Sequence, residues 1–309
     1  MTSPSPRPIL MPLIRLALLF GLILLSWWLV RPNIGLPREL ETAQTALQAG
    51  NVVQAQAQFE KALAAHPDDL RTYEQIIDLC EINKQWRLMI TYTQSALCVF
   101  KDESNTNRAK LNILLSTAYQ EAEPQRPQTN ALYAAESAWQ LDPYDADVQN
   151  AYGYILVDNG QKLEDASKLI QQALKTTRTS LDPDMKNLFP AVEDSYGWVL
   201  YKQERFKEAA DTLLKALYDY PEGTSGEALK VSYYHLGATY RQLQEFEEAR
   251  QALRSALFYD ADYADAKAEM AQLPPSTSPA PAAATPAAAA SITAPTAPSV
   301  PTPSTVQKK

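Results

Sequence analysis

Apolar residues recur at three- and four-residue spacing along most of this chain, the period of a helix with one buried face. The clearest stretch is Asp194 to Ala216, DSYGWVLYKQERFKEAADTLLKA. It predicts two helices folded back on each other, the first apolar and aromatic, the second marked by Ala209, Leu213 and Ala216. Gly197 sits inside the first helix, where a glycine costs roughly 1 kcal/mol relative to alanine. Close packing accounts for it: the second helix can lie against the first only where a side chain is missing. The arrangement returns in VSYYHLGATYRQLQEFEEARQALRSA, where Gly237 is followed by Ala249, Leu253 and Ala256. It returns again in AYGYILVDNGQKLEDASKLIQQA, around Gly153 and ending on Ala173.

Weaker copies lie upstream. Arg38 to Leu70 carries Ala55, Phe59, Ala62 and Pro67 in its second helix, has Ala43 in place of the glycine, and turns at Gly50 and Asn51. From Leu70 to about Lys101 the pattern is degenerate, with Ile77 for the small residue and Met89 for the first alanine. Asn105 to Pro143 follows, with Tyr119 closing its first helix and Ala131, Ala135 and Ala138 in its second. Gly153 and Gly197 are 44 residues apart and Gly197 and Gly237 are 40 apart. The excess falls in KTTRTSLDPDMKNLFP and PEGTSGEAL, read as excursions between units. YADAKAEMAQL, Tyr263 to Leu273, reads as a closing helix stopped by Pro274 and Pro275.

Units of about 34 residues, each a helix hairpin with small residues at fixed offsets, mark the tetratricopeptide repeat. Residues 38–273 resemble that family. The resemblance implies an all-α, right-handed α-solenoid of about five hairpins, matched best by the last two and worst by the second.

The two ends read differently. Leu16 to Val30, LALLFGLILLSWWLV, carries no charge. Extended back to Ile9 it reaches about 33 Å, enough for a bilayer core of roughly 30 Å, with Arg15 able to snorkel at one end and Trp27 and Trp28 at the other. Residues 1–8 are then a short tail, 9–31 an uncleaved transmembrane signal-anchor and 32–37 a linker. A cleaved signal peptide, releasing a secreted scaffold, is the alternative, although no small-residue cleavage pair follows the apolar run. Positive charges at Arg7, Arg15 and the terminal amine lean the repeats to the extracytoplasmic side. Residues 274–309 are Pro, Ala, Ser and Thr with almost no large apolar residue, the composition of a disordered tail.

Composition narrows the chemistry. The formal net charge is -8 and the pI near 5.0, which disfavours nucleic acid as a partner. No phosphate loop, dinucleotide fingerprint or zinc-protease motif is present, so no catalytic residue, cofactor, metal or small-molecule substrate is predicted. His66 and His235 read as surface or core-edge histidines. Asp260, Asp262 and Asp265 lack the glycine and distal glutamate of a calcium loop and read as helix caps and first-turn charges. Cys80 and Cys98 fall roughly 13 Å apart on a hairpin register, beyond the about 7 Å a disulfide spans, so both are expected as free, mostly packed thiols.

What remains is surface. The resemblance implies that the first helices of successive repeats line a concave groove holding a partner protein. Tyr154, Trp198 and Ala238 each follow the glycine; Asn150, Asp194 and Tyr234 lie one turn earlier, and Tyr201 and Arg241 one turn or so later on the same stripes. The alternative is that Tyr154 and Trp198 pack against the neighbouring hairpin. The lysine and asparagine clamp of the family's chaperone-binding members is missing: the comparable places hold Leu40, Gln44, Glu74, Asp78, Asn150 and Tyr154. A membrane-anchored protein-binding scaffold, suited to the assembly of envelope complexes, is the reading that results. An enzyme using groove carboxylates is the rival, and no matched set of titratable groups supports it.

Overall fold

The computed structural model describes residues 37–276, apart from 124 and 126; these form thirteen α-helices and no strand. The predicted anchor at 9–31 and nearly all of the tail at 274–309 lie outside the described residues. Among the described residues no helix is long and apolar enough to cross a membrane.

The chain divides between Lys84 and Gln85 into two compact units. The division falls in the stretch that matches the repeat pattern worst. The first unit contains α1 (Arg38–Gln48), α2 (Val52–Ala65) and α3 (Leu70–Ile82). α1 and α2 pack as a hairpin, with Leu40, Ala43, Ala55, Phe59 and Ala62 buried. Gly50 turns it at φ +73, and the Asn51 side chain caps α2 by accepting from the Gln54 amide at 3.1 Å. On α3, Ile76, Ile77 and Cys80 are fully buried.

The second unit contains α4 (Trp86–Val99), α5 (Asn105–Ala122), α6 (Thr129–Leu141), α7 (Ala146–Asp158), α8 (Leu163–Thr179), α9 (Pro183–Lys202), α10 (Phe206–Asp219), α11 (Gly226–Gln242), α12 (Phe246–Tyr259) and α13 (Ala264–Ala271). α5/α6, α7/α8, α9/α10 and α11/α12 are hairpins, and each packs on the next. The first helices also touch in sequence, α5 on α7, α7 on α9, α9 on α11 and α11 on α13. Inside three hairpins the helical glycine faces one branched side chain. A Cβ on Gly153 would stand 2.7 Å from Ile170, one on Gly197 2.7 Å from Leu213 Cγ, and one on Gly237 2.6 Å from Leu253 Cγ. No β-carbon fits at those separations, so the helices approach as closely as their backbones permit.

Two expectations need correction. The stretch 175–190 is not an excursion. It lengthens α8 to 17 residues and α9 to 20, leaving only Ser180 to Asp182 between them. Threonine hydroxyls at 176, 177 and 179 bond back to carbonyls one turn earlier, so these polar side chains find their partners within α8. α9 then starts with the Asp182 carboxylate accepting from Asp184 N–H at 2.9 Å and with Pro183 in the first turn, where the missing donor costs nothing. Likewise GEAL of PEGTSGEAL is the first turn of α11, capped by Ser225. The second correction concerns the thiols: both are free, and Cys80 is buried, but Cys98 is exposed. Burial pushes the Cys80 thiol up to about 12.

Candidate functional site: a closed aromatic cluster beside an acidic concavity

The row of first helices in the second unit brings most of the predicted stripe residues together. Asp194, Trp198 and Tyr201 come from α9, Tyr154 from α7, and Tyr234 and His235 from α11. Trp198 is stacked between Tyr201, centroids 4.4 Å apart, and His235, centroids 4.2 Å apart. Asp194 Oδ2 lies 2.9 Å from His235 Nδ1, and the Tyr154 hydroxyl lies 3.5 Å from His235 Nε2. Tyr234 is tilted against the Trp198 ring at 5.8 Å, and the Lys202 ammonium sits 4.7 Å above it.

These groups are packed against one another, with Asp194 Oδ1 and Trp198 Nε1 left buried and without a hydrogen-bond partner. Trp198 is 2% exposed, Asp194 5% and His235 0%. His235, read from sequence as a surface or core-edge residue, is fully enclosed because helices from three hairpins close over it. Tyr154, Tyr201 and Tyr234 remain partly exposed at the rim. Asn150 is half-buried, with its Oδ1 buried and unpartnered. Arg241 leaves the stripe to form an ion pair with Glu269 of α13.

Beside the cluster the row opens into a concavity of about 450 Å³. Its walls are α5 (Thr117, Gln120, Glu121), the ends of α7 (Tyr154, Asp158) and α11 (Glu227, Lys230, Val231), with Trp86, Gln128 and the turn from Asp260 to Asp265. Lys230 is 2% exposed. Its ammonium meets Glu121 at 3.2 Å, Asp260 at 3.4 Å and Glu227 one turn earlier on its own helix. It also lies 5.1 Å from the Tyr263 ring centroid. Burial pulls the Lys230 pKa down, but the carboxylates of Glu121 and Glu227 outweigh it and leave the group above an ordinary lysine. Burial is also the main reason that Tyr263 is held well above the usual phenol range.

Asp260 and Asp262 have the local roles expected of them in part. Asp260 Oδ1 accepts from the Asp262 amide at 3.0 Å, and Asp262 pairs with Lys267 at 2.8 Å. Asp260 Oδ2, however, points to Lys230, and all three aspartates line the concavity. Among the described residues no three His, Cys, Asp or Glu groups converge as metal ligands. Sequence reasoning missed Glu121, Gln128, Asp158 and Lys230. The Glu121–Lys230 contact joins residues 109 positions apart, and no local pattern encodes it.

Residues 231–263, which are most of α11, all of α12 and the turn after it, match the family model for the tetratricopeptide repeat. That stretch is a tetratricopeptide repeat. The repeat protein is 28% identical over 191 residues, 62% of its length, to the TPR repeat-containing protein PA4667 of Pseudomonas aeruginosa, and covers 30% of that relative. Among solved structures it is similar to the APC/C hetero-tetramer Cut9–Hcn1, with a TM-score of 0.52 and 16% identity, covering 76% of this chain and 43% of that one. It is also similar to NprR in complex with its cognate peptide NprX, with a TM-score of 0.50 and 14% identity, covering 75% of this chain and 69% of that one. Those structures share the repeat fold.

Proposed function

We propose that this repeat protein is a membrane-anchored scaffold that binds other proteins through the inner face of its second unit. One observation carries the reading: residues from α4, α5, α7, α11 and the 260–265 turn converge on a single concavity of about 450 Å³, within the roughly 300–1,000 Å³ of ligand sites. Consecutive hairpins winding as a right-handed solenoid account for that convergence. In this reading Tyr154 faces the partner, with Asn150, Tyr201 and Tyr234 along the same side, while Trp198 and Asp194 hold the wall behind it and Arg241 ties α11 to α13. Binding a protein needs no cofactor, metal or catalytic group.

The uncharged run Leu16 to Val30, with Arg15 before it and Trp27 and Trp28 at its end, supports an anchor at 9–31. The distribution of arginines around it favours repeats on the extracytoplasmic side of a bacterial inner membrane, where assembly of envelope complexes is a fitting task.

The test is a crosslinked capture of the full chain from membranes, run beside Ala264→Trp, which adds an indole at the exposed mouth of the concavity. Specific partners held by the parent and lost by the variant are expected. Partners retained equally by the variant would place binding elsewhere. Alkaline extraction of the full chain and of a chain lacking 9–31 checks the anchor: only the first should stay with the membrane.

A further inference from the structure

In a stack of hairpins each unit touches its neighbours, so the bend of the row is the sum of small rotations at successive interfaces. The backbones of the second unit follow that rule. α5 packs on α7, α7 on α9 and α9 on α11, while α5 and α11 are not among the helix pairs that pack. Side chains nevertheless cross between those two ends. The Lys230 ammonium of α11 meets Glu121 of α5 at 3.2 Å, although the residues are 109 positions apart. A second contact skips one helix of the row: the Tyr154 hydroxyl of α7 lies 3.5 Å from His235 Nε2 of α11, 81 positions away. The row therefore bends far enough for α5 and α11 to meet through side chains.

The surroundings of Lys230 single out the Glu121 contact. The lysine side chain is 3% exposed and that of Glu121 30%, and an ammonium taken out of water needs its charge matched. Two of its three carboxylates are local. Glu227 lies one turn earlier on α11, and Asp260 follows α12 of the same hairpin. Of the three, Glu121 is the one that comes from the far end of the row. The concavity draws part of its wall from α5 and part from α11 and the 260–265 turn, so its shape depends on the spacing between those ends.

We infer that Glu121 and Lys230 are positioning residues: their ion pair is a strap that ties the two ends of the row and sets the width of the concavity. This rests on the protein-binding reading above and names what keeps that site in shape. With the strap made, a partner meets a preformed site. With it released, the three helix interfaces between α5 and α11 relax and the two walls part. A partner that bridges both walls binds only the strapped fraction of molecules, so its affinity falls with that fraction.

The test measures the spacing by pulsed electron paramagnetic resonance on the full chain. Spin labels go on Thr129→Cys, at the exposed start of α6, and on Ala268→Cys, on the exposed side of α13, with the exposed Cys98 changed to serine. One narrow distance distribution is expected. Glu121→Ala should move it to longer distances and broaden it. Alanine suits a helix position and Lys230 keeps Glu227 and Asp260, so the circular-dichroism signal should be unchanged. Glu121→Gln, which removes the charge with the smallest change in packing, should shift the distribution the same way by less. Glu227→Gln takes an equal charge from the same ammonium without cutting the link to α5, and should leave the distribution in place. In the capture experiment above, Glu121→Ala should hold several-fold less partner than the parent. An unchanged distribution in both Glu121 variants would overturn the inference, as would an equal shift in Glu227→Gln. Full partner capture by Glu121→Ala with its distances spread would overturn it too. In each of these cases the scaffold reading stands, since that reading fails only if captured partners survive Ala264→Trp.

Discussion

The aromatic cluster and the acidic concavity are built from the same helices, α7 and α11, yet one is closed and the other open. In the cluster, flat rings stack on one another around a buried histidine–aspartate pair, while Trp198 Nε1 and Asp194 Oδ1 are buried without a hydrogen-bond partner. In the concavity six carboxylates stand among aromatic and amide side chains, and three of them gather on the buried Lys230. A stripe of aromatics on a repeat surface is therefore not by itself a binding surface, and its acidic neighbour can be.

The largest test of this contrast is Trp198→Ala. Removing a ring that is 2% exposed should cost about 3–5 kcal/mol of stability, read by chemical denaturation. Asp262→Asn, on the open side, should leave stability unchanged. Lys230→Ala comes next. It strips the ammonium from Glu121, Glu227 and Asp260 and should cost on the order of 3 kcal/mol, with loss lessened at low pH as the carboxylates protonate.

A third test uses Asp147, in the first turn of α7. Burial, helped by Asp145 and opposed by Lys110, raises its carboxyl from 3.8 to about 6. Below about pH 4 it is neutral in both folded and unfolded chains and costs nothing. From about pH 4 to 6 the unfolded chain releases the proton first, so its contribution falls as the pH rises, by about 2–3 kcal/mol in all. Asp147→Asn should therefore stabilise the protein at pH 7.5 by roughly that amount and have little effect at pH 4.

Smaller effects concern the hairpins that support both regions. Gly237→Ala puts a β-carbon 2.6 Å from Leu253 Cγ and 3.3 Å from the Ala249 carbonyl, and should cost about 1–3 kcal/mol despite alanine's helix preference. Glu204 turns its hairpin at φ +61, a region that suits glycine, so Glu204→Gly should raise stability by about 0.5–1 kcal/mol.

How much of this was legible in the sequence depends on distance along the chain. The helix pairs were readable because their period is local. The glycines at 153, 197 and 237 each have their branched partner only 16 or 17 positions away. The stripe through Tyr154, Asp194, Trp198 and Tyr234 was readable as a set of like positions. Whether it was open or closed was not, since closure depends on His235 of α11 reaching Tyr154 of α7, 81 positions away. The long α8 and α9 were hidden by Thr, Ser and Pro, residues usually read as loop. Here Pro183 starts a helix and Pro190 is carried inside one. The acidic concavity left only one trace, the aspartates at 260, 262 and 265, which also fit a local capping role.

The most direct measurement is hydroxyl-radical footprinting of the full chain, alone and crosslinked to its captured partners, resolved by mass spectrometry. Trp198 should oxidise slowly in both states, while Trp86 oxidises faster in the free protein and is protected on binding. Fast oxidation of Trp198 in the folded protein, slowed by the captured partner, would show the aromatic cluster to be the open surface and contradict the account.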